Sequence, residues 1–319
     1  MNEKELLSRL KKTKKKLKNK NLISINNLSL KELNLVLDTA EIFREFIRTN
    51  SKKKLDLLEG KSVINLFFES STRTRTSFEL AAKILGADVV NISGEATTRK
   101  KKGESLVDVV RTLNAMHIDA VVIRDNHSGA SDIVAREVGC AVINAGDGWH
   151  EHPSQALLDL LTIRGHKKFK NLKFTLVGDV LHSRVAGSLL RVLPRLGVKV
   201  TVCGPESFLP VKVEKFGVKK ETNLEKSLNG ADVIYALRVQ TERAVRIGSS
   251  MNEYAKSYCI TQEKLKLAKE DAIVMHAGPV IRERDLSTEV LDSPQCVVLE
   301  QVENGVAVRI ALLYLLLAD

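Results

Sequence analysis

From Leu22 onward the chain alternates short apolar, β-branched runs with longer stretches in which apolar residues recur every three or four positions. The runs SVINLFF, ADVVNI, DAVVIR and AVIN in the first half, then KFTLVG, VKVTVC, DVIYAL and AIVMH in the second, predict strands. Helical periodicity marks SLKELNLVLDTAEIFREFI, TSFELAAKILG, ESLVDVVRTLNAM, SQALLDLLTIRGH and SRVAGSLLRVLPRLG. Strands that alternate with helices imply parallel sheets covered on both faces, an α/β class. Two such sets imply two doubly wound domains. The last stretch, NGVAVRIALLYLLLAD, reads as a long apolar helix that no strand follows, so it is expected to pack back on the first domain. The expected division is a basic N-terminal extension over 1–21, a first domain over 22–151 plus 303–319, and a second over 152–302. The helical stretch HPSQALLDLLTIRGH is the expected join.

Composition fits this picture, since 319 residues at 44% hydrophobic content can fill two cores. No apolar run approaches the roughly 18 residues of a membrane span, and no signal-peptide pattern opens the chain, so a soluble, cytoplasmic protein is expected. Cys140, Cys203, Cys259 and Cys296 are scattered, without C-x-x-C or zinc spacing, and read as reduced packing residues. The net charge of +11 is concentrated in residues 1 to 20, where nine basic side chains face only Glu3 and Glu5. A solvated lysine-rich tail is the simpler reading than a nucleic-acid or membrane contact, and no partner of either kind is expected.

Chemistry concentrates at FFESSTRTRTSF, Phe67 to Phe78. It follows an apolar strand pattern and precedes a helical one, the layout in which helix N-termini receive anions. Ser71, Thr72 and Thr74 offer hydroxyls and amides, and Arg73 a planar fork suited to phosphate oxygens. An ordinary Ser/Thr cap with solvated arginines is the alternative, but this density of donors exceeds what capping requires. Neither a P-loop nor a G-x-G-x-x-G fingerprint is present. HEH at His150 to His152 lacks H-E-x-x-H spacing and any completing carboxylate cluster, so no metal is expected, and no cofactor.

The stretch resembles the S-T-R-T-R signature of the aspartate and ornithine carbamoyltransferases. Further matches follow in that family's order: KKGES at Lys101, Arg124 ending AVVIR, NAGDGWHEHPSQALLDLLTI from Asn144, VGDVLHSR from Val177, LRVQTER from Leu237, HAGP from His276 and EQVENGVAVRIALLYLL. The likeness spans residues 22 to 319. It implies a carbamoyltransferase that passes the carbamoyl group of carbamoyl phosphate to an amine through a tetrahedral intermediate. It further implies that Ser71, Thr72, Arg73 and Thr74 hold phosphate, while Thr74, Arg124 and His152 address the carbonyl oxygen. Gln155 and the carbonyls around Gly278 and Pro279 would take the carbamoyl nitrogen. Thr98 and Lys102 would sit on a loop reaching a neighbouring subunit's site in a homotrimer. Glu69, with Arg184 and Arg243, would form an ion-pair latch on domain closure.

The acceptor amine is read from LRVQTER, where Arg238 and Gln240 lie two apart on one side of an extended segment. In the aspartate branch of the family this pair meets the side-chain carboxylate, and Arg184 the α-carboxylate. The S-M-G and H-C-L-P motifs of the ornithine branch are missing. The implied reaction gives N-carbamoyl-L-aspartate and phosphate, an early step of pyrimidine biosynthesis, with a regulatory chain or a dihydroorotase as possible partners. Alternatives are an ornithine or other amine acceptor, and a catalytically silent subunit whose basic leader binds nucleic acid or a partner; the intact set of site residues speaks against the latter. Ala277 and Ile281 stand where the aspartate branch commonly has Pro and Asn, and the missing proline is expected to loosen that loop.

Overall fold

The computed structural model describes residues 1–13, 16–94, 103–240 and 251–318. It divides into two compact units, Met1–Leu161 with Glu303–Asp319, and Thr162–Val302. The boundary between the units falls inside a helix, between Leu161 and Thr162.

The first unit holds a parallel sheet of four strands: β1 (Ser62–Phe67), β2 (Asp88–Ser93), β3 (Ala120–Asp125) and β4 (Ala141–Asp147), in the order β2-β1-β3-β4. Its helices are α1 (Glu3–Lys12), α2 (Leu30–Thr49), α3 (Thr72–Ile84), α4 (Leu106–Asn114), α5 (Ala130–Glu137) and the start of α6 (Pro153–His166). Four of the strands' core positions, Ile64, Leu66, Val121 and Ile123, interlock with Val110 and Leu113 of α4 and Val134 of α5. That continuous apolar character is what burial on both faces of a parallel sheet demands. Ser29 opens α2 with a capping box, its hydroxyl receiving the Glu32 amide while the Glu32 carboxylate receives the Ser29 amide.

The second unit carries β5 (Lys173–Val177), β6 (Lys199–Cys203), β7 (Lys219–Glu221), β8 (Val233–Ala236) and β9 (Ile273–His276), all parallel in the order β7-β6-β5-β8-β9. Helices α7 (Arg184–Val192) and α8 (Met251–Tyr258) accompany them, and the long α9 (Val298–Leu317) leads back into the first unit. There α9 lies on α2: Tyr314 meets Phe43 edge-on at 5.7 Å, Arg44 donates to Asn304, and Arg48 pairs with Glu303. The expected packing of the last helix on the first domain is what the chain adopts.

Three expectations need correction. The leader is not a free tail, because α1 buries Leu6 and Leu10 completely or nearly so while Arg9 pairs with Glu45 of α2. Lysines on the outer face hid an amphipathic helix. After it, Leu22 bridges β4 in parallel, its amide donating to Val142 and its carbonyl accepting from Asn144, which makes the residue an extension of the sheet edge. The stretch from Ser183 to Gly197 is not one helix, since Pro194 lacks the amide that the helix needs and α7 ends at Val192, followed by a 3-10 turn at Pro194–Leu196. Finally, α3 starts at Thr72 rather than Thr76, so the hydroxyl-rich residues form the first turns of the helix instead of a preceding loop.

Candidate active site

In each sheet the strand order reverses at one strand, β1 in the first and β5 in the second, and the loops at the carboxyl ends beside such a reversal are where open α/β sheets bind ligands. The residues singled out in the sequence occupy such carboxyl ends, both beside the reversals and at the edge strands β4 and β9. In the first unit Glu69 to Thr74 follow β1, Arg124 lies at the end of β3, and His152 and Gln155 follow β4. In the second, Arg184 follows β5, Arg238 and Gln240 follow β8, and Gly278 and Pro279 follow β9.

Ser71 is the residue capping α3, in extended conformation, yet its hydroxyl makes no capping bond, so no side chain of the cap occupies the first-turn amides. The positive end of the helix dipole and the exposed Arg73 side chain sit at the same place, which favours an anion. Thr74 is buried one turn in, and Ser77 ties the turn by donating to the carbonyls of Arg73 and Thr74 at 2.7 and 2.9 Å.

Arg124 is bracketed from both sides. Its residue pairs with Phe67 across β1, its carbonyl accepts the Phe68 amide at 2.9 Å, and its guanidinium donates to Glu69 at 3.3 Å and to the Ala145 carbonyl at 3.4 Å. The register between β3 and β4 slips at this point, a bulge that re-aims side chains at a strand end. Glu69, expected as half of an interdomain latch, is here a partner of Arg124 within its own unit.

His152 precedes α6 rather than lying within it: its carbonyl receives the amides of Gln155 and Ala156, and its Nδ1 faces the Ser154 hydroxyl at 3.4 Å. Both His152 and Gln155 are buried. Gln155 donates its Nε2 to Asp159 at 3.1 Å, and because a carboxylate only accepts, the orientation leaves Oε1 as the acceptor end, the one a carbamoyl NH2 needs. Around Asp159 the interior holds Arg309 of α9, whose guanidinium lies over the Phe78 ring at 5.2 Å. Burial pushes Arg309 down to about 10 against the pull of Asp159.

What sets His152 in place is a hub that sequence reading missed. Asp147, at the end of β4, accepts from Asn144 Nδ2 (2.9 Å), the Glu151 amide (3.1 Å) and the Gly129 amide (2.7 Å), and faces His150 Nδ1 at 3.1 Å. Burial alone would push its pKa up, but the bonds from His150, Asn144 and Gly129 outweigh it and hold the carboxyl below its ordinary range. Glu151 in turn accepts from the Ser24 hydroxyl and the Ile25 amide, anchoring the turn to the N-terminal segment. Gly148 has φ +47°, and a Cβ there would lie 2.3 Å from the Ser128 hydroxyl, so the turn admits only glycine. The motif NAGDGWHEH carried the signal, with an acidic residue ending a strand beside a glycine.

In the second unit Asp179 is the corresponding hub. Its Oδ1 accepts the His182 amide and faces His182 Nδ1 at 2.8 Å, while Oδ2 accepts the Gln240 amide at 3.2 Å, so the loops after β5 and β8 are joined through one carboxylate. Gly178 at φ +120° lets those loops pass closely; a Cβ would meet the Leu237 carbonyl at 2.5 Å. Arg184 is buried at the start of α7, which Ser183 caps by accepting the Ala186 amide. Arg238 donates to Gln240 Oε1 at 3.1 Å, so the pair spaced two apart acts as one unit. Thr98, Lys102 and Arg243 lie outside the described residues.

Chemically, the first unit offers what an acyl phosphate needs: a cationic, amide-rich helix start for phosphate and charged or hydroxyl donors for a developing oxyanion. The second offers two arginines, the complement of a dicarboxylate.

A family model for aspartate/ornithine carbamoyltransferase, carbamoyl-P binding domain, matches residues 20–165, and one for aspartate/ornithine carbamoyltransferase, Asp/Orn binding domain, matches residues 170–316. The aspartate carbamoyltransferase catalytic subunit of Syntrophus aciditrophicus is 50% identical over 299 residues, 93% of this chain and 97% of its own. Among solved structures, aspartate transcarbamoylase from Trypanosoma cruzi in complex with N-(phosphonacetyl)-L-aspartic acid superposes with TM-score 0.85 at 32% identity, over 95% of this chain and 97% of that one. Ornithine carbamoyltransferase from Pyrococcus furiosus superposes with TM-score 0.83 at 30% identity, over 95% and 98%. Two matched domain models over nearly the whole chain, joined to motifs that fall at the carboxyl ends of both sheets, mean that this chain belongs to the aspartate/ornithine carbamoyltransferase family.

Proposed function

We propose that the chain is an aspartate carbamoyltransferase. The amine of L-aspartate attacks the carbonyl carbon of carbamoyl phosphate, the C–O bond to phosphate breaks, the amine releases a proton, and N-carbamoyl-L-aspartate and phosphate leave. In this reading Ser71, Thr72, Arg73 and Thr74 hold the phosphate. Thr74, Arg124 and His152 stabilise the oxyanion, and the Gln155 Oε1 with the carbonyls at Gly278 and Pro279 orients the carbamoyl NH2. Arg184 takes the α-carboxylate, and Arg238 with Gln240 takes the side-chain carboxylate.

The observation that carries aspartate over ornithine is the Arg238–Gln240 bond beside a loop that Asp179 fixes, because ornithine brings a cation to that position and an arginine there repels it. The relatives named as aspartate carbamoyltransferase catalytic subunits support the same choice. The roles of Thr98 and Lys102, of Arg243 and Glu69 in closure, the homotrimer, the cytoplasmic location and the place in pyrimidine synthesis rest on the family resemblance. The test is direct: purified chain incubated with carbamoyl phosphate and aspartate should form carbamoyl-aspartate by mass, and succinate, which keeps both carboxylates and lacks the amine, should compete with aspartate. Failure of succinate to compete would remove the dicarboxylate assignment.

A further inference from the structure

His276 ends β9, and the turn after it carries Gly278 and Pro279. The ring is buried, and its Nδ1 lies 2.7 Å from the Gly278 amide. An amide only donates, so Nδ1 must keep its lone pair and the proton of the neutral ring sits on Nε2. Nε2 lies 3.3 Å from Asp285 Oδ2, within range of its charge but outside hydrogen-bond geometry, in an interior that is closed to solvent on both sides of the pair. The same Oδ2 accepts the Ile281 amide at 2.9 Å, and the Ile281 carbonyl accepts the Asp285 amide at 2.9 Å. Segment 278–281 is therefore tied at its first residue through His276 and at its last through Asp285. Arg284, with its Nε 3.7 Å from Asp285 Oδ1, adds a positive charge beside the carboxylate.

A histidine and an aspartate are costly to bury for turn geometry alone, which backbone bonds or a proline can supply. Here position 277 is alanine, so no pyrrolidine ring fixes the backbone just before Gly278. Nor is His276 placed to exchange protons with a substrate, since one nitrogen is taken by Gly278 and the other points inward. We propose that His276 and Asp285 are coupled positioning residues, which fix the carbonyls at Gly278 and Pro279 for the carbamoyl nitrogen. This rests on the reading of that turn given above.

Three chains test it: wild type, His276→Leu, which removes the acceptor, and His276→Asn, whose side-chain carbonyl can again accept from Gly278. In the leucine variant kcat should fall about 100-fold while the KM for aspartate stays within about threefold, the pattern of misplacement rather than lost binding. The asparagine variant should recover most of that loss. Amide exchange at Gly278 should be slow in wild type and the asparagine variant and fast in the leucine variant, a readout independent of activity. Equal impairment of both variants would assign His276 to packing and overturn the proposal, as would a leucine variant with unchanged kcat. A wild type that forms no carbamoyl-aspartate would instead sink the reading of the turn, and the proposal with it.

Discussion

Asp147 remains ionised inside the first unit because three hydrogen bonds and His150 converge on it. In Asp147→Asn, an amide NH2 must face one of those donors, at a cost of about 2 kcal/mol. The sign with pH follows from the depressed folded-state pKa: the stabilisation is present above the unfolded carboxylate value and is lost as pH falls through the folded one. Urea unfolding should thus separate wild type from variant at neutral pH and bring them together under acid; a difference constant with pH would contradict an ionised hub. The second unit makes a kinetic prediction. Arg238→Ala should lower kcat/KM for aspartate by at least about 100-fold, since an arginine–carboxylate pair is lost, and leave carbamoyl phosphate binding nearly unchanged. Weakened carbamoyl phosphate binding with a normal aspartate KM would reverse the assignment.

Among the elements, α1 separates stability from chemistry. Leu10→Ala should destabilise the chain by about 2–4 kcal/mol by leaving a cavity against α2. Deleting residues 1–20 should lower the melting temperature yet keep kcat of the folded fraction within about threefold, less than 1 kcal/mol of barrier; a folded but inactive truncation would place the leader in the site. Its helix escaped the sequence reading because Lys4, Lys11 and Lys12 dominate a segment with only two buried leucines. Eight strands were readable from their apolar, β-branched runs, which burial on both faces enforces in the central strands, while the largely exposed edge strand β2 showed through Val89, Val90 and Ile92 alone. β7, with sequence KKE, was not readable, since it is an edge strand that only pairing with β6 defines. The same division holds in the site: the phosphate loop and the Arg238–Gln240 pair are local patterns, whereas the role of Glu151 depends on Ser24 and that of His276 on Asp285, partners brought close only by folding.

For the molecule as a whole, the proposed homotrimer has a stoichiometric consequence. If Lys102 serves a neighbouring subunit, Lys102→Ala and His152→Ala chains, each nearly inactive, should complement when mixed and reassembled. Random trimers from an equal mixture should then regain about a quarter of the wild-type sites, because each mixed trimer has one boundary with both parts intact. Mixtures as inactive as their parents, with subunit exchange confirmed by mass, would confine the site to one subunit. The central claim, that a phosphate-binding helix start and a two-arginine carboxylate set serve carbamoyl transfer to aspartate, meets its most direct test in one comparison. Phosphate release from carbamoyl phosphate is followed with aspartate and with ornithine under the same conditions. The expected kcat/KM for aspartate is at least about 1,000-fold above that for ornithine, because ornithine offers the half-buried Arg238 a cation in place of a carboxylate; equal or better turnover of ornithine would contradict it.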